Sequence, residues 1–330
     1  MKIFVTGACG FIGSHLVEEL VKRNFKVRGL VIYNSRNSNG WIDNLDQKIL
    51  DNCEIVQGDI RDSALMNVYT KNVDVILHLA ALVGIPYSYQ AVQSYIETNI
   101  TGTFNILNSA IKNNIQQVIT TSTSEVYGTA QKVPILENHP LNAQSPYAAS
   151  KIAADQLALS FYKSYNLPIT ILRPFNTFGP RQSARAIIPS IITQAICKKI
   201  VRLGNLTPTR DFTYIEDTVD AFIKAINKSS SYGEVINIGS NFEISIKDIL
   251  NIIKKEIGSE FNVTIDKQRV RKKNSEVYRL FSSNIKAKKI LRWKPRFSRI
   301  LGFEKGLKKT IKWFSDPKNL KYYNPSIYNI

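Results

Sequence analysis

Tyr147 and Lys151 bracket the segment Tyr-Ala-Ala-Ser-Lys, a spacing that sets a phenol and an ammonium on one face of a helix. A neighbouring cation favours phenolate, so the pair predicts a tyrosine whose proton affinity is drawn towards working pH and which takes a proton from a substrate hydroxyl. The run Ser122-Thr123-Ser124-Glu125-Val126-Tyr127-Gly128 follows an apolar stretch at 117–121. It offers a hydroxyl and a carboxylate at the carboxyl end of a strand, where open α/β sheets gather their ligands. A third group stands near the amino terminus, where Gly7-Ala8-Cys9-Gly10-Phe11-Ile12-Gly13 separates a strand-like from a helix-like segment. Glycines there let backbone approach a pyrophosphate closely, and the free amides and positive end of the helix favour its charge.

A dinucleotide bound by that loop calls for a carboxylate near the end of the second strand. The sequence has Val31-Ile32-Tyr33-Asn34-Ser35-Arg36 instead, with no acid. Ser35 and Arg36 suit a 2′-phosphate, with Asn34 beside them at the cofactor, so NADP is expected ahead of NAD, although Arg36 reads equally well as a loop cation. Asp59, in Gly58-Asp59-Ile60-Arg61-Asp62, is placed either to accept from the adenine amine or to cap a helix starting at Ser63.

The elements that must position these groups alternate along the chain. Strands are predicted at 3–6, 26–32, 54–57, 73–79, 117–121, 168–172 and 235–238, and helices at 14–23, 88–112, 147–165, 191–199 and 218–227. Such alternation predicts an α/β fold with a doubly wound parallel Rossmann sheet. Beyond residue 174 prolines break the rhythm, which predicts a smaller, interleaved C-terminal substrate domain. The expected boundaries are 1–173 with about 231–254 for the dinucleotide unit, and 174–230 with 255–330 for the second unit.

The 330 residues are 44% hydrophobic, which excludes a disordered or fibrous chain. Cys9, Cys53 and Cys197 are odd in number and widely spaced, and His15, His78 and His139 share no ligand spacing, so neither a disulfide framework nor a metal site is expected. His78 falls in an apolar strand and reads as a core histidine. No apolar run is long enough for a membrane span or a signal-peptide core, and a cytoplasmic protein is expected. Of the net charge of +18, residues 251–330 carry most, with 21 Lys or Arg against 6 Asp or Glu. The cations alternate with apolar residues, as in Lys286-Ala287-Lys288-Lys289-Ile290-Leu291-Arg292-Trp293, which reads as solvated helix faces and not as a nucleic-acid or membrane surface.

Taken in order and spacing, the glycine loop, Thr123-Ser124-Glu125 and Tyr147-x-x-x-Lys151 resemble the extended short-chain dehydrogenase/reductases that act on nucleotide sugars, over nearly the whole chain. The resemblance implies a bound nicotinamide dinucleotide, contacted by Gly7, Gly10, Phe11, Ile12, Gly13, Asp59, Ile60, Leu79, Ala80, Ala81, Asn99, Tyr147 and Lys151, and it also implies that Thr98 and Asn99 support the catalytic helix through buried polar contacts. It implies that Thr123 bonds the sugar 4-hydroxyl beside Tyr147, and that Glu125 removes a C5 proton, as in the 4,6-dehydratases and unlike simple 4-epimerases. Ser124 stands where the dTDP-glucose enzymes have Asp; Thr-Ser-Glu is similar to the triplet of GDP-mannose 4,6-dehydratase and also of UDP-glucuronate decarboxylases. Leu203-Gly204-Asn205-Leu206 leading into Arg210-Asp211, with the runs 121–128, 145–151 and 173–185, most resembles the GDP-N-acetylglucosamine 4,6-dehydratases of bacterial legionaminic acid synthesis. The expected substrate is therefore a GDP-linked hexose, with a UDP-sugar dehydratase, decarboxylase or 4-epimerase as the alternative and a non-catalytic dinucleotide sensor as the second. Asn176, Arg181, Arg185, Arg210 and Arg271 are the matched candidates for the nucleotide diphosphate, Arg210 foremost, and helix pairing implies a homodimer or homotetramer.

Overall fold

Short apolar segments rich in β-branched residues make strands that can be covered on both faces. The computed structural model describes residues 1–198, 200–258 and 260–327. In it β1 (Lys2–Thr6), β2 (Lys26–Val31), β3 (Cys53–Gln57), β4 (Val75–His78), β5 (Gln117–Thr121) and β6 (Ile169–Pro174) form one parallel sheet. Then β7 (Asn176–Phe178), β8 (Ile200–Leu203) and β9 (Thr209–Tyr214) leave it, and β10 (Glu234–Ile238) rejoins it beside β6. The seven strands run β10-β6-β5-β4-β1-β2-β3. The α/β, doubly wound Rossmann sheet expected from the sequence is present.

Helices cover both faces. On one, Leu16, Val17 and Leu20 of the helix Phe11–Lys22 share a cluster with Phe222 and Phe314; on the other, Ile106, Leu107, Ala158 and Phe161 pack with Met66. Strand order turns back between β1 and β4, so the loops after these two strands flank the crevice in which such sheets bind ligands. A small second sheet is centred on β9, which pairs with β7, with Glu243–Ser245 and with Arg279–Leu280, while Asn262–Ile265 pairs with β8.

One long helix expected at 88–112 is interrupted. The chain makes short turns at Ile85–Ser88 and Val92–Tyr95, a π-helical stretch at Ile96–Thr101 and then an α-helix at Gly102–Lys112. The widened turn contains Asn99, whose Oδ1 accepts from Leu82 N at 2.8 Å and whose Nδ2 donates to Leu82 O at 3.0 Å. A buried side-chain clamp on a neighbouring loop is invisible to periodicity, and π-turns recur where a helix serves a site. The helix expected at 191–199 runs Ile187–Cys197, and Lys199 lies outside the described residues.

Trp293 is fully buried and donates to Asp217 O at 2.9 Å. The basic C-terminal quarter is laced by exposed pairs such as Lys286–Glu234 at 2.6 Å and Lys309–Glu216 at 2.7 Å, in keeping with solvated faces. No helix among the described residues is long and apolar enough to cross a membrane.

Candidate active site

A cleft of about 1190 Å³ runs from the glycine loop past the ends of β1, β4 and β5 to the second sheet. Gly7, Gly10, Phe11, Ile12 and Gly13 line one end; Leu79, Ala80, Ala81, Asp59 and Ile60 follow; Thr123, Ser124, Glu125, Tyr147 and Lys151 line the middle. Asn176, Arg181, Arg185 and Arg271 lie along it as well.

The glycines are there for closeness. Gly7 has φ +70°, and a Cβ on it would meet Ala80 N at 2.9 Å; a Cβ on Gly13 would sit 2.1 Å from Gly7 O. Loop, β4 end and first helix therefore fit together only without side chains. Gly10 caps that helix with no side-chain hydrogen bond, which leaves first-turn amides for a ligand.

Tyr147 and Lys151 share a face of the helix Pro146–Tyr165, which starts on Pro146 after Ser145 accepts from Ala148 N at 3.1 Å. Both side chains are buried. Burial pushes the Tyr147 phenol up, a hydrogen bond with Thr123 pulls it back, and the Glu125 charge adds to the rise. Burial pushes the Lys151 ammonium down, opposed by the Asp155 charge. The expected lowering of Tyr147 by Lys151 is thus not found in the chain alone, because desolvation outweighs a cation that is itself desolvated.

Glu125 occupies a short 3-10 turn, Ser124–Tyr127, in which its own amide donates to Thr123 Oγ1 at 3.2 Å. Its Oε2 lies 3.8 Å from Arg271 Nη1. Arg210 does not line the cleft. It is buried, 3.8 Å from Glu276 Oε1, and burial pushes its proton affinity down while the Glu125 charge restores part of it. Arg181 reaches back to the first helix, donating to Glu18 Oε2 at 2.7 Å, so it faces the glycine-loop end more than the sugar end. Asn176 Oδ1 is buried with no partner, and its side chain lines the cleft.

Four residues expected at the cofactor lie off the lining of the cleft. Asn34, Ser35 and Arg36 do not line the cleft; Asn34 instead ties its own turn, donating to Ser38 O at 2.7 Å and accepting from Arg36 N at 3.1 Å, and Arg36 points to solvent. Ile32 and Trp41 line the cleft there. Asn99 is buried behind the wall, with Nδ2 donating to Ser150 Oγ at 2.9 Å, and braces the Leu82 loop against the Tyr147 helix, the support of that helix which the resemblance implies. The helix cap considered for Asp59 belongs to Asp62, which accepts from Leu65 N at 3.0 Å, while Asp59 is paired with Arg61 at 2.6 Å. The Arg61 hydrogen bond holds the Asp59 carboxyl below its usual range.

His78 is a satisfied core histidine. Its Nδ1 meets Thr6 Oγ1 at 2.8 Å and its Nε2 meets Thr103 Oγ1 at 3.1 Å, and burial lowers its pKa to about 3.

Sequence reading missed the layer under the helix. Asp155 accepts from Ser122 Oγ at 2.7 Å and pairs with Arg173 at 2.9 Å, and Arg173 Nη1 donates to Tyr127 Oη at 2.9 Å. The signal was an arginine inside the otherwise apolar strand β6, since a charge buried there needs a partner. Also missed were Trp41, Tyr322 and Tyr323, which line the cleft from distant parts of the chain.

A Rossmann sheet with a glycine cradle, Tyr-x-x-x-Lys and Thr-Ser-Glu around one cleft defines an extended short-chain dehydrogenase/reductase. The profile described as GDP-mannose 4,6 dehydratase matches residues 4–310, and the chain belongs to that family of nucleotide-sugar dehydratases and epimerases. A putative UDP-glucose 4-epimerase of Methanocaldococcus jannaschii is 33% identical over 320 residues, covering 95% of this chain and 98% of that one. Human dTDP-D-glucose 4,6-dehydratase is 31% identical over 325 residues, covering 96% of this chain and 90% of that one. Among solved structures, a dTDP-glucose 4,6-dehydratase from Streptomyces venezuelae with NAD bound superposes with a TM-score of 0.88 at 28% identity, covering 98% of this chain and 99% of that one.

Proposed function

We propose that the chain is an NAD-dependent 4,6-dehydratase acting on a UDP- or dTDP-linked hexose. The observation that carries the reading is the carboxylate of Glu125 in the same cleft as Thr123, Tyr147 and Lys151. Oxidation at C4 needs a base only for the hydroxyl proton; a second base is required when the C5–H bond breaks as well. The names of the three relatives carry uridine or thymidine, which favours the UDP-sugar alternative over the GDP-linked hexose suggested by residues 203–211.

The glycine cradle, in which Cβ atoms at Gly7 and Gly13 have no room, fits a dinucleotide, with Gly10, Phe11 and Ile12 at its phosphates and Tyr147 and Lys151 towards its far end. NAD is favoured over NADP because the cleft wall after β2 is Ile32 and Trp41, with no cation from 34–36. Once bound, the nicotinamide supplies reversible two-electron storage: hydride removed from C4 is returned at C6.

The chain's own residues move protons. Thr123 donates to the sugar 4-oxygen and Tyr147 takes its proton, with the Lys151 ammonium favouring phenolate. The resulting ketone acidifies C5–H. Glu125 removes that proton, the C6–O bond breaks, and hydroxide leaves as water. Asp59 and Glu125 are the two carboxylates among the residues lining the cleft, and Asp59 is tied to Arg61, so Glu125 also hands the C5 proton to the departing hydroxyl. Ser124 then does not have to replace the Asp of the dTDP-glucose triplet as the acid. Asn176, Arg185 and Arg271 hold the diphosphate end, Arg contacts to phosphate being charge-assisted and bidentate.

Residues 1–173 with 231–254 serve the dinucleotide in this proposal, and 174–230 with 255–330 the sugar nucleotide. Two copies pair through the helices Gly102–Lys112 and Pro146–Tyr165, where Phe104 and Tyr165 are exposed.

Mass spectrometry of products from UDP-, dTDP- and GDP-linked hexoses and UDP-glucuronate tests the reading. Loss of one water from a UDP- or dTDP-hexose is expected. An isomer of unchanged mass, or loss of carbon dioxide from the glucuronate, overturns dehydration; water loss from GDP-hexose alone overturns the base assignment.

A further inference from the structure

The glycine-loop end of the cleft is roofed by side chains remote in sequence. Trp41 N donates to Cys9 O at 3.1 Å, and a Cβ on Gly40, at φ +62°, would meet Cys9 O at 2.8 Å, so the 38–44 segment is seated directly on the phosphate loop. The Trp41 ring stacks on Tyr323 with centroids 6.0 Å apart and meets Tyr322 edge-on at 5.3 Å. Tyr323 packs in turn on the fully buried Phe314 at 4.9 Å. Two hydroxyls fasten the strap: Tyr322 Oη donates to Asn44 Oδ1 at 2.7 Å, and Tyr323 Oη donates to Gln182 O at 3.0 Å. Trp41, Tyr322, Tyr323, Asn324 and Gln182 all line the cleft that the glycine loop opens.

We propose that Tyr322 and Tyr323 close a strap over the glycine-loop end of the cleft and retain a bound nicotinamide dinucleotide between turnovers. The inference rests on the dinucleotide-binding reading above. Its physical basis is that the Trp41–Tyr323 stack and both hydroxyl contacts stand over the end of the cleft that residues 7–13 line, so in this proposal they part before a ligand held there leaves. Contacts of this kind, broken on the exit path, slow dissociation more than they change association. Retention suits a reaction in which the hydride taken from the sugar is given back to the same sugar, because loss of the reduced dinucleotide would strand the oxidised intermediate. Tyr322 and Tyr323 are positioning residues in this scheme.

The test uses the full chain loaded with NAD, and reads release of the dinucleotide by dilution into a scavenging dehydrogenase, together with the NAD content after gel filtration. Tyr323→Ala and the double variant Tyr322→Ala/Tyr323→Ala are expected to release NAD about tenfold faster or more, the loss of one or two aromatic contacts and their hydroxyl bonds. Tyr323→Phe keeps the ring and loses only the Gln182 contact, and is expected to release a few-fold faster, which guards against a misfolded alanine variant. Release rates equal to the parent in all three overturn the strap while leaving the dinucleotide reading intact. A parent chain that binds neither NAD nor NADP overturns that reading, and the strap with it.

Discussion

Glu125→Gln is expected to halt loss of water while the sugar is still oxidised at C4. The substitution keeps the shape of the side chain and removes its capacity to take a proton, so the C5–H bond survives; general-base losses of this kind run to about 10²–10⁴-fold in rate. Thr123, Tyr147 and Lys151 remain in place around the 4-hydroxyl, because Thr123 Oγ1 caps the amide of residue 125 and not its side chain. Mixing the variant with its sugar nucleotide should therefore build up the absorbance of reduced nicotinamide without forming a 4-keto-6-deoxy product. Water loss at the parent's rate would remove Glu125 from the mechanism. Arg271, 3.8 Å away, loses its ion pair in this variant, so substrate affinity is to be measured alongside.

Lys151→Met carries the second large effect, and its direction with pH follows from the charges. In the chain alone burial holds the Tyr147 proton on, and the Glu125 and Asp155 charges strengthen that hold. Removing the ammonium leaves Asp155, one helical turn away, with less cationic compensation, so the phenol loses its proton only at higher pH. Stability of the reactive phenolate falls, and the rising limb of kcat against pH should move to more alkaline values. At neutral pH the loss is expected at about 10²–10³-fold, recovering in part as pH is raised. A uniform loss at every pH would mean that Lys151 positions the substrate and leaves the Tyr147 proton alone.

What could be read from the sequence was what depends on local pattern. Parallel strands buried on both faces are near-continuous apolar runs, and the glycine spacing and Tyr-x-x-x-Lys are local arrangements, so sheet, loop and helix were legible. What depends on which distant residues meet was not. Asn99 carries no mark showing that it would clamp the Leu82 backbone and widen a helical turn. Arg36 and Arg181 are both loop arginines in sequence, yet one points to solvent and the other reaches Glu18 on the first helix. Arg210 was singled out for the diphosphate; its position in β9 buries it beside Glu276 and off the lining of the cleft. The proton affinity of Tyr147 failed for a related reason: the effect of a neighbouring cation can be read from spacing, whereas the cost of desolvation is set by the tertiary fold around both groups. Asp155 and Arg173 could have been paired in advance, since a strand as apolar as β6 does not bury a guanidinium alone.

The central claim is that Tyr147 and Glu125 act on adjacent carbons of one sugar, so that the hydrogen lost from C4 reappears two carbons away. A UDP-hexose carrying deuterium at C4 tests it directly. Recovery of the deuterium in the C6 methyl group of a 4-keto product is the predicted result; deuterium still at C4, in a product of unchanged mass, would contradict it.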